Sequence, residues 1–463
     1  MTARGPGAEG TTVGRWHAIA AVAPVFVLTR VAIFFAATSA TDSQVYYQYG
    51  VAARVSSVGT LFREYDAEYP QLAVLFAAGV GFVADALPPG AERVIAARPS
   101  FPSDVGTARF QVALGLVLGA VDIGLLILIA RLGRELQPND PRTQTWRLGL
   151  YVAGTAALGP ILYDRLDLVV GASALIAIVA LASRRPIVAY TILTAGVGFK
   201  LVPAVLLPLL VVAAAVRREG RFWPAFAREI VIALVVFALW PVLSVLFGGG
   251  DRAFVYMRYH AERGVELGSV YAAPLLAQDT SVGYAFGGYV VQGPITDGVA
   301  KAAQILTIAG VGLALLLAAR AIRRSDPADR ISVLATGCVL VWLAFILTSK
   351  VGSPQYLLWV APLVPLLPLR TSAERVWAVG FVGAGLLATL TYPYLWPAVH
   401  GAPVPNQSDT WTGPTPLGFA LLFARWGMVA VLTGWLALRL WHFDRTPVVF
   451  AGSAPRSASG GNP

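Results

Sequence analysis

Between residues 17 and 440 the chain is a succession of long apolar runs parted by short polar loops. A membrane-spanning helix needs about 20 apolar residues. The runs 17–38, 110–130, 230–247, 302–319, 331–348, 376–394 and 417–440 approach or exceed that length. Shorter runs at 148–163, 168–182, 187–199, 201–216 and 355–369 read as thin or tilted crossings. The pattern predicts an all-α integral membrane protein with about twelve transmembrane helices. One further run, 71–87, contains Gly79, Gly81 and Asp85. Counting it as a crossing would put Arg131, Arg134, Arg142 and Arg147 outside, against the bias of arginine toward cytoplasmic loops. It therefore reads as a re-entrant or surface helix inside a first external loop of 39–107. With that choice the arginine clusters fall on one side, both termini are cytoplasmic, and 248–298 is a second long external stretch. The tails 1–16 and 441–463 are predicted to be cytoplasmic and wholly or partly disordered, from their Gly, Thr, Ser and Pro content.

Composition agrees with the patterning. The 463 residues are 57% hydrophobic and 13% charged, with mean hydropathy +0.67, whereas soluble domains carry about 25% charged residues. The net charge of +10 lies largely in the arginine clusters, so it does not call for a nucleic-acid partner. Cys338 is the only cysteine, which excludes an internal disulfide framework. The first run is longer than the roughly 7–15 residues of a signal-peptide core, so it reads as an uncleaved helix.

The predicted topology collects chemistry on one rim. Asp42, Glu68, Asp164, Asp167, Lys200, His260, Arg263 and Lys350 all fall at outward ends, and so do all three lysines, Lys200, Lys301 and Lys350. A cationic ring on that face suits an anion such as a lipid phosphate. The loop 41–70 adds Asp42, Asp66, Glu68 and five tyrosines. It is either a reaction site or a solvated loop whose tyrosines sit at headgroup level. Asp164 and Asp167 are spaced to bind a metal, to pair with Arg165 or to cap a helix. Two carboxylates without a third ligand are a weak metal signal, and neither metal nor cofactor is predicted. Arg30, Asp122 and Arg425 lie deeper, where ionisable groups pair within a bundle, and an arginine reaching Asp122 is expected as a structural ion pair.

Four segments together resemble the C-type glycosyltransferase superfamily, and in particular its bacterial phosphatidylinositol-mannoside α-1,2-mannosyltransferase branch. They are Asp42, Tyr46 and Tyr47 followed by Glu68-Tyr69-Pro70; Gly198-Phe199-Lys200-Leu201-Val202-Pro203; Tyr259-His260-Ala261-Glu262-Arg263-Gly264 with Ser269 and Tyr271; and Ser353-Pro354-Gln355-Tyr356-Leu357-Leu358-Trp359. Their order and spacing cover 17–369. Gln71 stands where the family has a second proline, and Glu266 and Gly268 stand where it tends to carry Gln and Glu. The resemblance implies inverting transfer of a hexose, mannose first among candidates, from a polyprenyl-phosphate sugar to a lipid or glycan hydroxyl, on the outer face of the plasma membrane. It implies Asp42 as general base, with Glu68 the competitor. Lys200, His260, Arg263 and Lys350 would bind the donor phosphate, and Tyr46, Glu68, Tyr69, Gln355 and Tyr356 the sugar or acceptor. The partners are then the donor, the acceptor and membrane lipids. The alternative is a polyprenyl-lipid or solute transporter, which predicts pseudo-symmetric halves meeting at mid-membrane; no such repeat is visible.

Overall fold

Proline and glycine cut the apolar runs into helices of unequal length. The computed structural model describes residues 7–36, 40–64, 67–98, 102, 104–136, 141–218, 220–247, 249–278, 280–405, 407 and 409–443, and it is 76% helical. Helix α1 (Gly7–Phe35) leads into α2 (Ala40–Val55), α3 (Val58–Glu64) and α4 (Gln71–Ala86). Most of 41–70, expected as a loop, is thus helical. Asp42 sits in the first turn of α2, where a carboxylate offsets the helix dipole. Ser43 and Tyr46 are buried, so tertiary packing stabilises turns that their polarity alone would not. Asp66 lies outside the described residues.

The chain continues through α5 (Val105–Leu136), α6 (Pro141–Ala156), α7 (Ile161–Asp164), α8 (Asp167–Ala182), α9 (Pro186–Val197), α10 (Leu207–Val216) and α11 (Phe222–Phe247). The run 148–163 is not one helix. It breaks between α6 and α7 at Gly159, whose φ of +53° is the left-handed conformation that glycine adopts without strain. The stretch 248–298 holds α12 (Val255–Glu262), α13 (Ala272–Leu276) and a hairpin of β1 (Ser281–Ala285) and β2 (Gly288–Gln292). Phe286 and Gly287 turn the hairpin with positive φ at both positions, as tight two-residue turns require. After α14 (Thr296–Arg324), α15 (Arg330–Thr348), α16 (Leu357–Val360), α17 (Ser372–Thr389) and α18 (Trp396–His400), the short β3 (Thr410–Trp411) joins β1, giving the order β2-β1-β3. The protein is therefore not wholly α. Helix α19 (Pro416–Trp441) is the last described element.

Among the described residues, seven helices are long and apolar enough to cross a membrane: His17–Phe35, Val105–Leu132, Phe222–Phe247, Thr296–Arg324, Arg330–Thr348, Ser372–Tyr394 and Pro416–Trp441. Four shorter apolar helices accompany them, Gln71–Ala86, Asp167–Ala182, Pro186–Val197 and Val202–Val216. The run 355–369 is no continuous helix but short pieces, Pro354–Tyr356, α16 and Val364–Leu366. Pro354, Pro362, Pro365 and Pro368 remove the amide donors that a continuous helix needs. These pieces are deeply buried all the same, from Leu357 to Leu367.

The molecule has two chemically distinct ends. At one, Arg439 pairs with Glu374 at 3.2 Å, Arg370 pairs with Asp329, and Arg147 and Arg217 donate to the carbonyls of Leu367 and Ala182 at 3.0 and 3.1 Å. Helix α15 starts there and ends about 28 Å away at 1.5 Å per residue, beside a polar cavity. Helix α4 lies across helix ends at that second face. Its Ala73 amide donates to the Gly198 carbonyl after α9, and Arg109 of α5 donates to its Ala84 and Leu87 carbonyls.

Between the ends, Asp122 is fully buried and accepts from Arg30 Nε at 2.8 Å, Tyr151 at 2.5 Å and Tyr163 at 2.9 Å. Arg30 is thus the arginine that meets Asp122. Arg425, the other candidate, donates instead to the Gly352 carbonyl at 2.6 Å and stacks on Trp426.

Candidate functional site

Seven separated parts of the chain converge on a cavity of about 420 Å³, within the range of roughly 300–1,000 Å³ usual for ligand sites. The start of α2 brings Asp42, and the turn before α4 brings Glu68 and Tyr69. The α7–α8 junction brings Arg165, and the end of α9 brings Lys200. From 260–289 come His260, Arg263, Glu266 and the hairpin, and from the turn after α15 come Ser353, Gln355 and Tyr356. Tyr392 and Trp396 close the wall. Eight residues singled out from the sequence line this one space: Asp42, Glu68, Tyr69, Lys200, His260, Arg263, Gln355 and Tyr356.

Two expected members do not line it. Tyr46 is 2% exposed and bonds Tyr69 hydroxyl to hydroxyl at 3.2 Å, so it supports Tyr69 from behind. Lys350 is 7% exposed and donates to the Ala261 carbonyl at 2.8 Å, which makes it a brace for the segment carrying His260 and Arg263. Lys301 is exposed on α14 and also lies outside the cavity wall, so the ring of three lysines does not form.

Each charge in the cavity has a defined counterpart. Asp42 is ion-paired with Arg165, and Arg165 also donates to the Tyr392 hydroxyl at 3.2 Å. Lys200 Nζ lies 2.8 Å from Asp167 Oδ1 and over the rings of Tyr356 and Trp359, at 5.0 and 5.4 Å. Asp167 is 2% exposed and also accepts from Trp359 Nε1 at 2.5 Å. Of the roles open to the Asp164–Asp167 pair, Asp167 turns to Lys200, while Arg165 turns to Asp42. No cluster of three or more His, Cys, Asp or Glu suited to a metal occurs among the described residues.

Glu266 ties the site's floor together. Its carboxylate accepts from the Gly352 amide at 2.8 Å, from Ser353 Oγ at 3.0 Å and from Arg263 at 3.4 Å. The hairpin turn lies over that floor. A Cβ at Gly288 would strike the Arg263 guanidinium, and one at Gly287 would touch the Glu68 carboxylate.

Among the displaced titrations of the cavity, those of Glu68 and His260 bear on its chemistry. Burial pushes Glu68 up from the ordinary carboxylate range, against the opposing pull of a Tyr259 hydrogen bond and of Arg263 and Lys200. Burial and the cations Arg263, Lys200 and Lys350 push His260 down to about 4. His260 is then neutral at pH 7 and offers a hydrogen bond and not a positive charge.

Arg165 and Glu266 were not among the expected site residues. The signal for Arg165 was an arginine at an outward helix end, where topology disfavours one. The aromatic members Tyr284, Tyr289, Tyr392 and Trp396 were also missed. Tyr284-Ala285-Phe286-Gly287-Gly288-Tyr289 carries a hairpin signature of strand formers around a turn.

Fold and site together define a mostly helical chain of membrane-spanning character with a charged, aromatic-walled cavity at one end. No protein-family model matches the chain, and no curated protein sequence matches it.

Proposed function

We propose that the protein is a multi-pass membrane hexosyltransferase of the C-type glycosyltransferase class. It moves a hexose, mannose first among candidates, from a polyprenyl-phosphate sugar to a hydroxyl of a lipid or glycan, with inversion at the anomeric carbon. The observation that carries this reading is the convergence of four sequence-distant motifs on one cavity: Asp42 and Glu68, Lys200, His260 and Arg263, and Gln355 and Tyr356. In this reading the seven long helices, the three short apolar helices α8, α9 and α10 and the broken runs 148–163 and 355–369 make about twelve crossings, and the cavity faces outward because the arginine-rich end stays inside.

The chemistry follows from the charges. As the acceptor oxygen bonds to the anomeric carbon, its proton passes to the Asp42 carboxylate. The carbon–oxygen bond to phosphate breaks with its electron pair going to the phosphate. Arg263 and Lys200 stabilise that departing dianion, and neutral His260 donates a hydrogen bond to it. Arg165, ion-paired with Asp42, orients it until the acceptor arrives. Glu68, whose burial favours its protonated form, suits a sugar hydroxyl better than the role of base.

The test is radiolabelled sugar transfer from polyprenyl-phosphate mannose, in membranes with and without the protein and with its Asp42→Asn variant. Loss of a general base costs about 10²–10⁴ in rate, so Asp42→Asn should lose turnover while still binding donor, and Glu68→Gln should be milder. Near-normal turnover for Asp42→Asn, or a larger loss for Glu68→Gln, moves the base to Glu68. Movement of the lipid across the membrane with no transfer points instead to a flippase.

A further inference from the structure

The hairpin changes character along one face. Val282 pairs with Val291, and both are buried in an aliphatic cluster with Val265, Leu267 and Val399. The next pair on the same face is Tyr284 opposite Tyr289, since side chains alternate with a period of two. Aliphatic gives way to aromatic toward the cavity: Tyr289 and Trp396 still pack against the cluster, and Tyr284, Tyr289 and Trp396 line the cavity. Trp396 and Tyr392 extend the wall, with ring centroids 5.7 Å from Trp396 to Tyr289 and 5.4 Å from Trp396 to Tyr392.

These rings are fixed in advance. His400 stacks on Tyr289 at 4.9 Å with planes 7° apart, and Trp411 meets its edge at 4.7 Å. A side chain already held loses little freedom when a ligand arrives. The opening remains, for Tyr284 is 42% exposed. The tyrosine pair also lies only one to two residues, about 3–7 Å along the strands, from the turn that covers Glu68 and Arg263. An amphipathic ligand could therefore rest on the aromatic wall and reach the charged floor at once.

We propose that Tyr284, Tyr289, Tyr392 and Trp396 form a saccharide-stacking subsite. It takes the C–H face of a pyranose ring on the electron-rich aromatic faces while the ring's hydroxyls turn to the charged floor. Arg165, which donates to the Tyr392 hydroxyl at 3.2 Å, and Arg263 under the hairpin turn lie beside this wall, within reach of such hydroxyls. The inference rests on the transferase reading and deepens it: the ring is either the transferred sugar or the sugar of a glycan acceptor.

The experiment uses the full-length protein in nanodiscs. Saturation-transfer NMR measures binding of methyl α-D-mannopyranoside, with sorbitol as a control that has hydroxyls but no ring face. Polyprenyl phosphate without sugar is titrated separately. Wild type should bind the glycoside and not sorbitol. Tyr284→Ala should weaken the glycoside about three- to tenfold, Tyr284→Phe should restore it, and neither should change polyprenyl-phosphate binding. Tyr284 is chosen because it is the most exposed ring and its loss leaves the Tyr289–His400 stack in place. In transfer assays the same variant raises KM for the donor if the ring is the transferred sugar, and for the acceptor if it is the acceptor's. No glycoside signal, or one equal in Tyr284→Ala and wild type, overturns the subsite. Failure of polyprenyl phosphate to bind overturns the transferase reading alone, because the glycoside arm is independent of it.

Discussion

Removing the charge of Asp122 is the sharpest test of how this bundle tolerates ionic groups in its interior. Asp122 is fully buried and Arg30 is 7% exposed. The carboxylate accepts from Arg30 through Nε at 2.8 Å and Nη2 at 3.3 Å, and from two tyrosine hydroxyls. Asp122→Asn keeps the shape and one acceptor but leaves the guanidinium uncompensated. Arg30 retains its bonds to the Val152 carbonyl at 3.1 Å and to Thr155 Oγ1, so part of its hydrogen bonding survives while the compensation of its charge does not. Breaking one partner of a buried pair costs about 3–5 kcal/mol. The double variant Arg30→Gln with Asp122→Asn removes both charges and still offers the tyrosines an acceptor, so it should recover at least half of that loss. Unfolding of the purified protein in mixed micelles gives the three free-energy differences, and the double-mutant cycle isolates the coupling. On the proposed transferase function, activity per folded molecule should be unchanged in the double variant, because the pair lies outside the cavity wall. A loss below about 1 kcal/mol for Asp122→Asn, or a double variant as unstable as the two singles added together, would falsify the view that this is a charge-compensating structural pair.

Lys200→Ala alone should both weaken donor binding and destabilise the fold, since it strands Asp167 at 2% exposure. Lys200→Met with Asp167→Asn should fold and raise the donor KM about tenfold or more, the worth of one charge-assisted contact; unchanged donor kinetics would remove Lys200 from phosphate binding. His260 should titrate near pH 4 by NMR, and Arg263→Met should move it upward by removing a repelling cation. Because the folded value lies below the ordinary value of about 6.5, the unfolded chain takes up the proton first. His260's contribution to stability is therefore present above pH 6.5, declines as pH falls toward 4 and is level below that. Titration near 6.5 in the wild type would refute its cationic, buried setting. Glu266→Gln should cost about 1–3 kcal/mol, measured by thermal unfolding, since it weakens the charge-assisted bonds from the Gly352 amide, Ser353 and Arg263; an unchanged melting temperature would show that the turn holds without them.

Much of this architecture is legible in the chain itself. Apolar runs of crossing length mark all seven long helices, because an element in lipid must satisfy its own backbone and show an apolar surface. The arginine clusters mark the end opposite the cavity. A deep arginine seeking Asp122 followed from the cost of a lone buried charge, though which arginine did not, because side-chain reach depends on how α1 and α5 pack. Eight cavity residues were readable as short motifs at the ends of apolar runs. The pairings within the cavity were not. Asp42 with Arg165, Asp167 with Lys200 and Glu266 with Ser353 join residues set 123, 33 and 87 positions apart, and no local pattern specifies such a match. The same holds for Tyr46 and Lys350, whose polarity suggested the site but whose burial assigns them to its support. The helical state of 41–64 and the broken run 355–369 were decided by packing in the first case and by proline placement within a packed core in the second. The aromatic wall exists only because the hairpin folds its tyrosines against α18, which lies more than 100 residues later in the chain.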